Sequence, residues 1–285
     1  MRQAIILAAG RGTRLGGEHN GHAKCLVKIA GRTMIHRQMD ILSSLGVQRF
    51  FVVVGHEAND VCAALDDRCM PIVNEQFAQT NSLYSLWLAL KQVRGSFMLL
   101  NSDVLAHPEV YRRVATGEGA SLAYDSSSGD EDEHMKVRFD RGRLQEISKS
   151  LPTHRTDGEN VGILRFDGLA GAELFAAADA IIQTGDIKCW APAAVDRLAQ
   201  RVVVRGVDVA DLPWTEIDFP EDLEVARNTV WPAIEKHSQS VSHDVCNSDS
   251  GDQGVGGAAF ASRRKPDASN NTLNAPSYLP RRAVS

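Results

Sequence analysis

The sequence predicts an α/β fold, with a mixed, mostly parallel central sheet flanked by helices and a small antiparallel hairpin region. Three observations lead there. Short apolar runs alternate with amphipathic segments through the first hundred residues, the pattern of strands joined by crossover helices. The first apolar run ends in a glycine-spaced basic loop, at the place where open α/β sheets bind ligands. After Asp103 the pattern changes to closely spaced strand-like runs, with turn residues at Asp140-Arg141-Gly142.

Taken in order, Gln3–Ala8 reads as the first strand. A helix near Met34–Leu45, a strand at Arg49–Val54 and a helix near Asp60–Leu65 follow. A short strand at Pro71–Val73 precedes a helix at Ser82–Val93, where Leu83, Leu86, Trp87, Leu90 and Val93 recur at helical spacing. Ser96–Leu100 is the next strand. Ser121–Tyr124, Lys136–Phe139 and Arg143–Ile147 read as antiparallel strands. Strand Val161–Phe166, helices Leu169–Ile182 and Ala191–Ala199, strand Arg201–Val207 and helix Pro220–Ala233 complete a domain spanning 1–236. From 237 to 285 Ser, Gly, Asn, Asp and basic residues take over, and such a segment is expected to be a disordered tail.

Composition narrows the function classes. In 285 residues the hydrophobic share of 43% is ample for a core, and the net charge of −5 gives no electrostatic reason to expect a nucleic-acid partner. No apolar stretch approaches the roughly 20 residues that cross a bilayer, and the N-terminal run is broken too early for a signal peptide. The 5 cysteines are scattered without a C-x-x-C pair, so neither a disulfide frame nor a zinc site is indicated. A cytoplasmic location is expected, and a homodimer is left open.

The opening segment Ala-Ile-Ile-Leu-Ala-Ala-Gly-Arg-Gly-Thr-Arg-Leu, residues 4–15, carries the most chemistry. Gly10 and Gly12 let backbone N–H groups approach an anion closely, and Arg14 adds a charge that forks onto phosphate oxygens. Leu7, Ala8, Ala9, Gly10, Gly12 and Thr13 are therefore candidate nucleotide contacts. The triphosphatase loop G-x-x-x-x-G-K-[ST] is absent. The dinucleotide fingerprint fails as well, because Leu15 stands where its third glycine belongs. Two carboxylate sites come later. Asp103 follows an apolar strand in Asn101-Ser102-Asp103, and Asp218 lies in Thr215-Glu216-Ile217-Asp218-Phe219-Pro220. Turn formation is the simpler role for Asp103, and capping of the following helix is the simpler role for Asp218.

The order Leu-Ala-Ala-Gly-x-Gly-Thr-Arg-Leu, then Lys24 in Lys-Cys-Leu and a glycine before a helix, resembles the nucleotidyltransferase superfamily that activates sugar phosphates, phosphocholine and phosphonates, of nucleotide-diphospho-sugar transferase, Rossmann-like fold. The resemblance implies that Arg14 and Lys24 act on the triphosphate and that Asp103 and Asp218 hold Mg²⁺, with Ser102 beside the nucleotide. The family places Pro before the lysine; Ala23 here implies a less rigid loop.

Asn74 through Leu86, with Asn81, Tyr84 and Ser85, resembles the segment of cytidylyltransferases acting on phosphocholine and 2-aminoethylphosphonate, and implies that Asn81 reads the base. Capping of the helix at Ser82 is the alternative for Asn81. Met135-Lys136-Val137 with Ser148-Lys149, the Gly158-Glu159-Asn160 loop and the Trp214–Asp218 block resemble the same branch, which assigns Lys136, Lys149, Glu159 and Glu216 to the acceptor. The implied partners are CTP and a small phosphonate or phospho-alcohol. Sugar-1-phosphate and molybdopterin-type nucleotidyltransferases are the alternatives, followed by a non-catalytic nucleotide sensor.

Overall fold

The computed structural model describes residues 1–16, 22–129 and 131–238. Its main sheet has nine strands in the order β5-β4-β1-β6-β11-β8-β12-β10-β9. The first half is parallel: β1 (Gln3–Ala8) lies between β4 (Arg49–Val54) and β6 (Phe97–Asn101), with β5 (Cys69–Val73) at the edge. The second half is mixed. β11 (Gly158–Phe166) runs antiparallel to β6 and to β8 (Ala120–Asp125), β12 (Val204–Asp208) runs parallel to β8, and β9 (Lys136–Asp140) and β10 (Arg143–Ser148) form the expected hairpin. β9 also pairs with β11 at Gly158 and Glu159, so this end of the sheet curls back on itself. The hairpin turn places Arg141 and Gly142 at φ 50° and 74°, the left-handed pair that matches strand twist.

Two layers of helix cover the sheet, and strand alternation sorts the core between them. Ile5 and Leu7 face α3 (Ser82–Leu90), α5 (Gly168–Ile182) and α6 (Pro192–Ala199). Ala4, Ile6 and Ala8 face α1 (Met34–Ser44), α2 (Ala58–Ala64) and α4 (Pro108–Ala115). A third cluster joins Leu15, Ile29, Leu105 and Ile217 to α7 (Pro220–Val225) and the helix beyond it, which anchors the loop after β1 from below. No helix among the described residues is long and apolar enough to cross a membrane.

Most expected elements appear within a few residues of their places. Five features depart for identifiable reasons. The small hairpin of β2 (Lys28–Ile29) and β3 (Arg32–Thr33), and the pairing of β7 (Val104–Ala106) with β13 (Trp214–Glu216), are too short to show a period. Helix α4 opens on His107, whose ring accepts from Glu109 N–H, an unusual cap that hides the start. Strand β12 begins at Val204 rather than Arg201, because Arg201 and Val202 donate back to Leu198 O. The last helix widens to a π turn at Ala226–Val230 and continues through residue 238. Pro232 has no N–H to donate and crowds the preceding turn, which accounts for the widening. Residues 237 and 238 are thus helical, with Ser238 Oγ 3.2 Å from His107 Nε2; the remainder of the expected tail, 239–285, lies outside the described residues.

Candidate active site

A cleft of about 400 Å³ opens at the carboxyl ends of β1 and β6. Leu7, Ala8, Ala9, Gly10, Gly12, Thr13 and Arg14 form one wall, Asn81 and Ser102 border it, and Lys24, Asp103, Glu216 and Asp218 converge on its floor. Lys149 stands at the rim.

Backbone contacts fix the floor. Ser102 N–H donates to Leu7 O at 3.2 Å, and Ile217 N–H donates to Asp103 O at 2.9 Å, tying the two acidic segments together. The Gln38 amide donates to both Asn101 O and Val104 O and so holds the turn carrying Asp103. Asp222 reaches back to accept from Asp218 and Phe219 N–H at 2.9 Å each, capping α7 and orienting Asp218. Gly12 has φ +59°, and a Cβ there would stand 2.7 Å from Lys24 Cγ, so loop and lysine fit only because residue 12 has no side chain.

Ala23 occupies the family's proline position with φ −60°, a proline-like conformation. Its N–H, which proline lacks, donates to Glu57 Oε2 at 3.1 Å. The hydrogen bond holds Ala23 in the conformation the ring would impose. Ala23 is buried and held.

Lys24 Nζ donates to Asp218 Oδ1 and, at 3.3 Å, to Asp103 Oδ2. Arg14 donates to Asp218 Oδ2 at 2.7 Å. These contacts decide the protonation states. Burial by itself lowers Lys24, but Asp103 and Asp218 outweigh it and the ammonium is stabilised. Asp218 is held below the usual carboxylate range; burial opposes that, and Lys24 and Arg14 overcome it. Asp103 is raised by burial despite Lys24. Burial, with Asp103 and Asp218 nearby, pushes Glu216 up to about 8.

Asp103, Glu216 and Asp218 have carboxylate oxygens within 4.8 Å of one another, and Asp103 Oδ1 is buried without a hydrogen-bond partner. Hard oxygen donors and an orphaned acceptor fit a divalent cation such as Mg²⁺. Glu216, assigned to the acceptor by the resemblance, stands in this acidic group and lines the cleft.

The other candidates divide. Asn81 caps α3 through its side-chain oxygen, the simpler of its two expected roles, while still bordering the cleft. Lys136 and Glu159 do not border the cleft. They are buried register partners on β9 and β11, and Glu159 accepts from Ser128 at 2.5 Å and lies 3.5 Å from His134 Nδ1. Glu133, read from sequence as part of a solvated loop, stands at the mouth, 3.1 Å from Lys149 and 3.8 Å from Arg14. Trp190 also lines the cleft and carried no sequence signal beyond its residue type, and Asn160, in the loop that pointed to Glu159, lines it where Glu159 does not.

A glycine loop with Arg14, a lysine and an acidic floor at the ends of parallel strands defines a nucleotide-handling α/β domain. The MobA-like NTP transferase domain family matches residues 4–247, and the chain belongs to that family. A bifunctional IPC transferase and DIPP synthase of Aquifex aeolicus is 27% identical over 227 residues, 79% of this chain and 50% of that protein. A CMP-5'-(3-aminopropyl)phosphonate synthase of Streptomyces rubellomurinus is 28% identical over 245 residues, 77% of this chain and 37% of that protein. The chain thus spans about half or less of the length of these curated relatives. Among solved structures, the inositol-1-phosphate CTP transferase from T. maritima superposes with a TM-score of 0.70 at 22% identity, covering 83% of this chain and 96% of that one, which establishes the nucleotide-diphospho-sugar transferase type of fold.

Proposed function

We propose that the protein is a Mg²⁺-dependent cytidylyltransferase that joins CMP from CTP to a small phosphonate or phospho-alcohol. The observation that carries this reading is the convergence of Arg14, Lys24 and three carboxylates at the end of the glycine loop. The choice of CTP draws on relatives whose names carry CTP or CMP.

In the proposed reaction an acceptor oxygen attacks the α-phosphorus in line, the α–β bond breaks, and pyrophosphate leaves. The nucleophile is already ionised near neutral pH, so the chain need supply no general base. Its work is to bring two anions together. The loop amides and Arg14 bind the triphosphate, Lys24 offsets charge on the transferring phosphoryl, and Lys149 meets the incoming acceptor. Asp103 and Asp218, with Glu216 alongside, would hold Mg²⁺, which supplies charge neutralisation when bound.

The test is a pyrophosphate-release screen crossing four nucleoside triphosphates with 2-aminoethylphosphonate, other phosphonates, phosphocholine, inositol 1-phosphate and hexose 1-phosphates. CTP with a phosphonate or a non-sugar phospho-alcohol should give the highest kcat/KM. Higher values with UTP or GTP and a hexose 1-phosphate would overturn the reading.

A further inference from the structure

The cations at the cleft mouth already have carboxylate partners from the chain itself. Arg14 divides its guanidinium between Asp218 Oδ2, at 2.7 Å, and Glu133 Oε2, at 3.8 Å. The same Glu133 oxygen accepts from Lys149 Nζ at 3.1 Å. One carboxylate oxygen therefore bridges two cations from separate elements, the loop after β1 and the residue following β10. Glu133 is only lightly held, with its side chain 70% exposed, whereas the adjacent His134 is buried. An exposed ion pair is weak, so a more highly charged anion displaces it.

We propose that Glu133 is an internal stand-in for the anionic group of the acceptor, holding Lys149 at the mouth beside the triphosphate-binding Arg14 until phosphate or phosphonate oxygens take its place on Lys149. This rests on the acceptor reading above and deepens it. Without an anion between them the two cations repel; once a triphosphate engages Arg14, a phosphonate dianion satisfies Lys149 more fully than one carboxylate oxygen does. Its hydrogen bond to Lys149 holds the Glu133 carboxyl below the usual range, so it stays charged and competes at working pH. Lys149 Nζ also lies 5.1 Å from the centre of the Trp190 ring, a second contact that keeps the ammonium at the rim once Glu133 swings away. Glu133 then acts as a selectivity device. A neutral or weakly charged acceptor gains too little at the rim to evict it, and a phosphate or phosphonate dianion gains enough.

The experiment titrates methylphosphonate by calorimetry into the wild-type protein, E133Q, K149A and the E133Q/K149A double variant. E133Q, a neutral isostere at an exposed position, should bind about two- to fivefold more tightly than wild type, the range set by an exposed ion pair. That gain should fall by half or more in the K149A background. Unchanged or weaker binding by E133Q would overturn the proposal, as would a gain fully retained without Lys149. Binding is read without turnover. A gain seen in a protein that does not use CTP would therefore sink the cytidylyl reading and leave the rim assignment standing.

Discussion

The two sides of the cleft teach different lessons, although resemblance to the same family pointed to both. On the nucleotide side Lys24, Asp103 and Asp218 reach one floor, and Arg14 reaches Asp218 from the wall at 2.7 Å. On the acceptor side Lys149 reaches the cleft, and Lys136 and Glu159 are buried beside it. The difference lies in position along the strand. Arg14, Asp103 and Asp218 sit past strand ends, in loops and turns that open onto the cleft, and Lys24 opens the short 3-10 helix Lys24–Leu26. Lys136 and Glu159 sit within strands, and because β9 pairs with β11 as well as β10, the sheet closes around them. A charge just past a strand end opens onto the site; the same charge one residue inside a doubly paired strand becomes structure.

The largest expected effect sharpens the nucleotide side. Asp103→Asn and Asp218→Asn keep shape and remove charge, and each should lower kcat by about 10²–10⁴-fold with little change in melting temperature, since the carboxylates act on transition-state charge. Near-normal turnover in either variant would remove that residue from the metal site.

The next prediction tests the division directly. Lys149→Ala should raise the acceptor KM about 10- to 100-fold, the effect of losing a charge-assisted hydrogen bond of about 1.5–3 kcal/mol, with the KM for CTP barely changed. Lys136→Ala should leave both KM values in place and instead reduce stability by about 0.5–3 kcal/mol. Kinetics with each substrate varied in turn, beside a denaturant melt, separate the two outcomes. An acceptor defect in K136A without loss of stability would erase the distinction.

A third prediction uses the acidic floor. Glu216 is raised to about 8 in the folded protein, against 4.5 in the unfolded chain, with burial as the main cause. Between those values the native state holds a proton that the unfolded state has released. Its contribution to stability is full below 4.5 and is lost as pH rises towards 8. In metal-free protein Glu216→Gln should therefore melt increasingly above wild type as pH rises through this window. Parallel melting curves would contradict the assignment.

The smallest expected effect concerns the loop. Ala23→Pro keeps the native φ and restricts the unfolded chain while losing the N–H bond to Glu57, so stability should change by less than about 1 kcal/mol. A large loss would show that Glu57, rather than backbone shape, sets the position of Lys24.

Legibility in the sequence followed the same division. Strands β1 and β4 are readable to the residue, because their side chains are almost wholly apolar and the flanking turns are well marked. The nucleotide loop is readable because its glycines and charges are consecutive. The β7–β13 pairing, which brings Asp103 to Asp218, joins segments more than a hundred residues apart and leaves no local period to read. Glu133 was hidden for the opposite reason. In the string Asp130-Glu131-Asp132-Glu133 nothing distinguishes it from its neighbours, and only the fold brings Lys149 and Arg14 to it.

The most direct test of the central claim is the stoichiometry of pyrophosphate release from CTP with a saturating phosphonate or phospho-alcohol acceptor, measured with and without Mg²⁺. The account predicts one pyrophosphate per acceptor consumed, negligible release when either acceptor or Mg²⁺ is omitted, and loss of the acceptor-dependent signal in D218N. Pyrophosphate formed at the same rate without acceptor, or undiminished by removal of Mg²⁺, would contradict it.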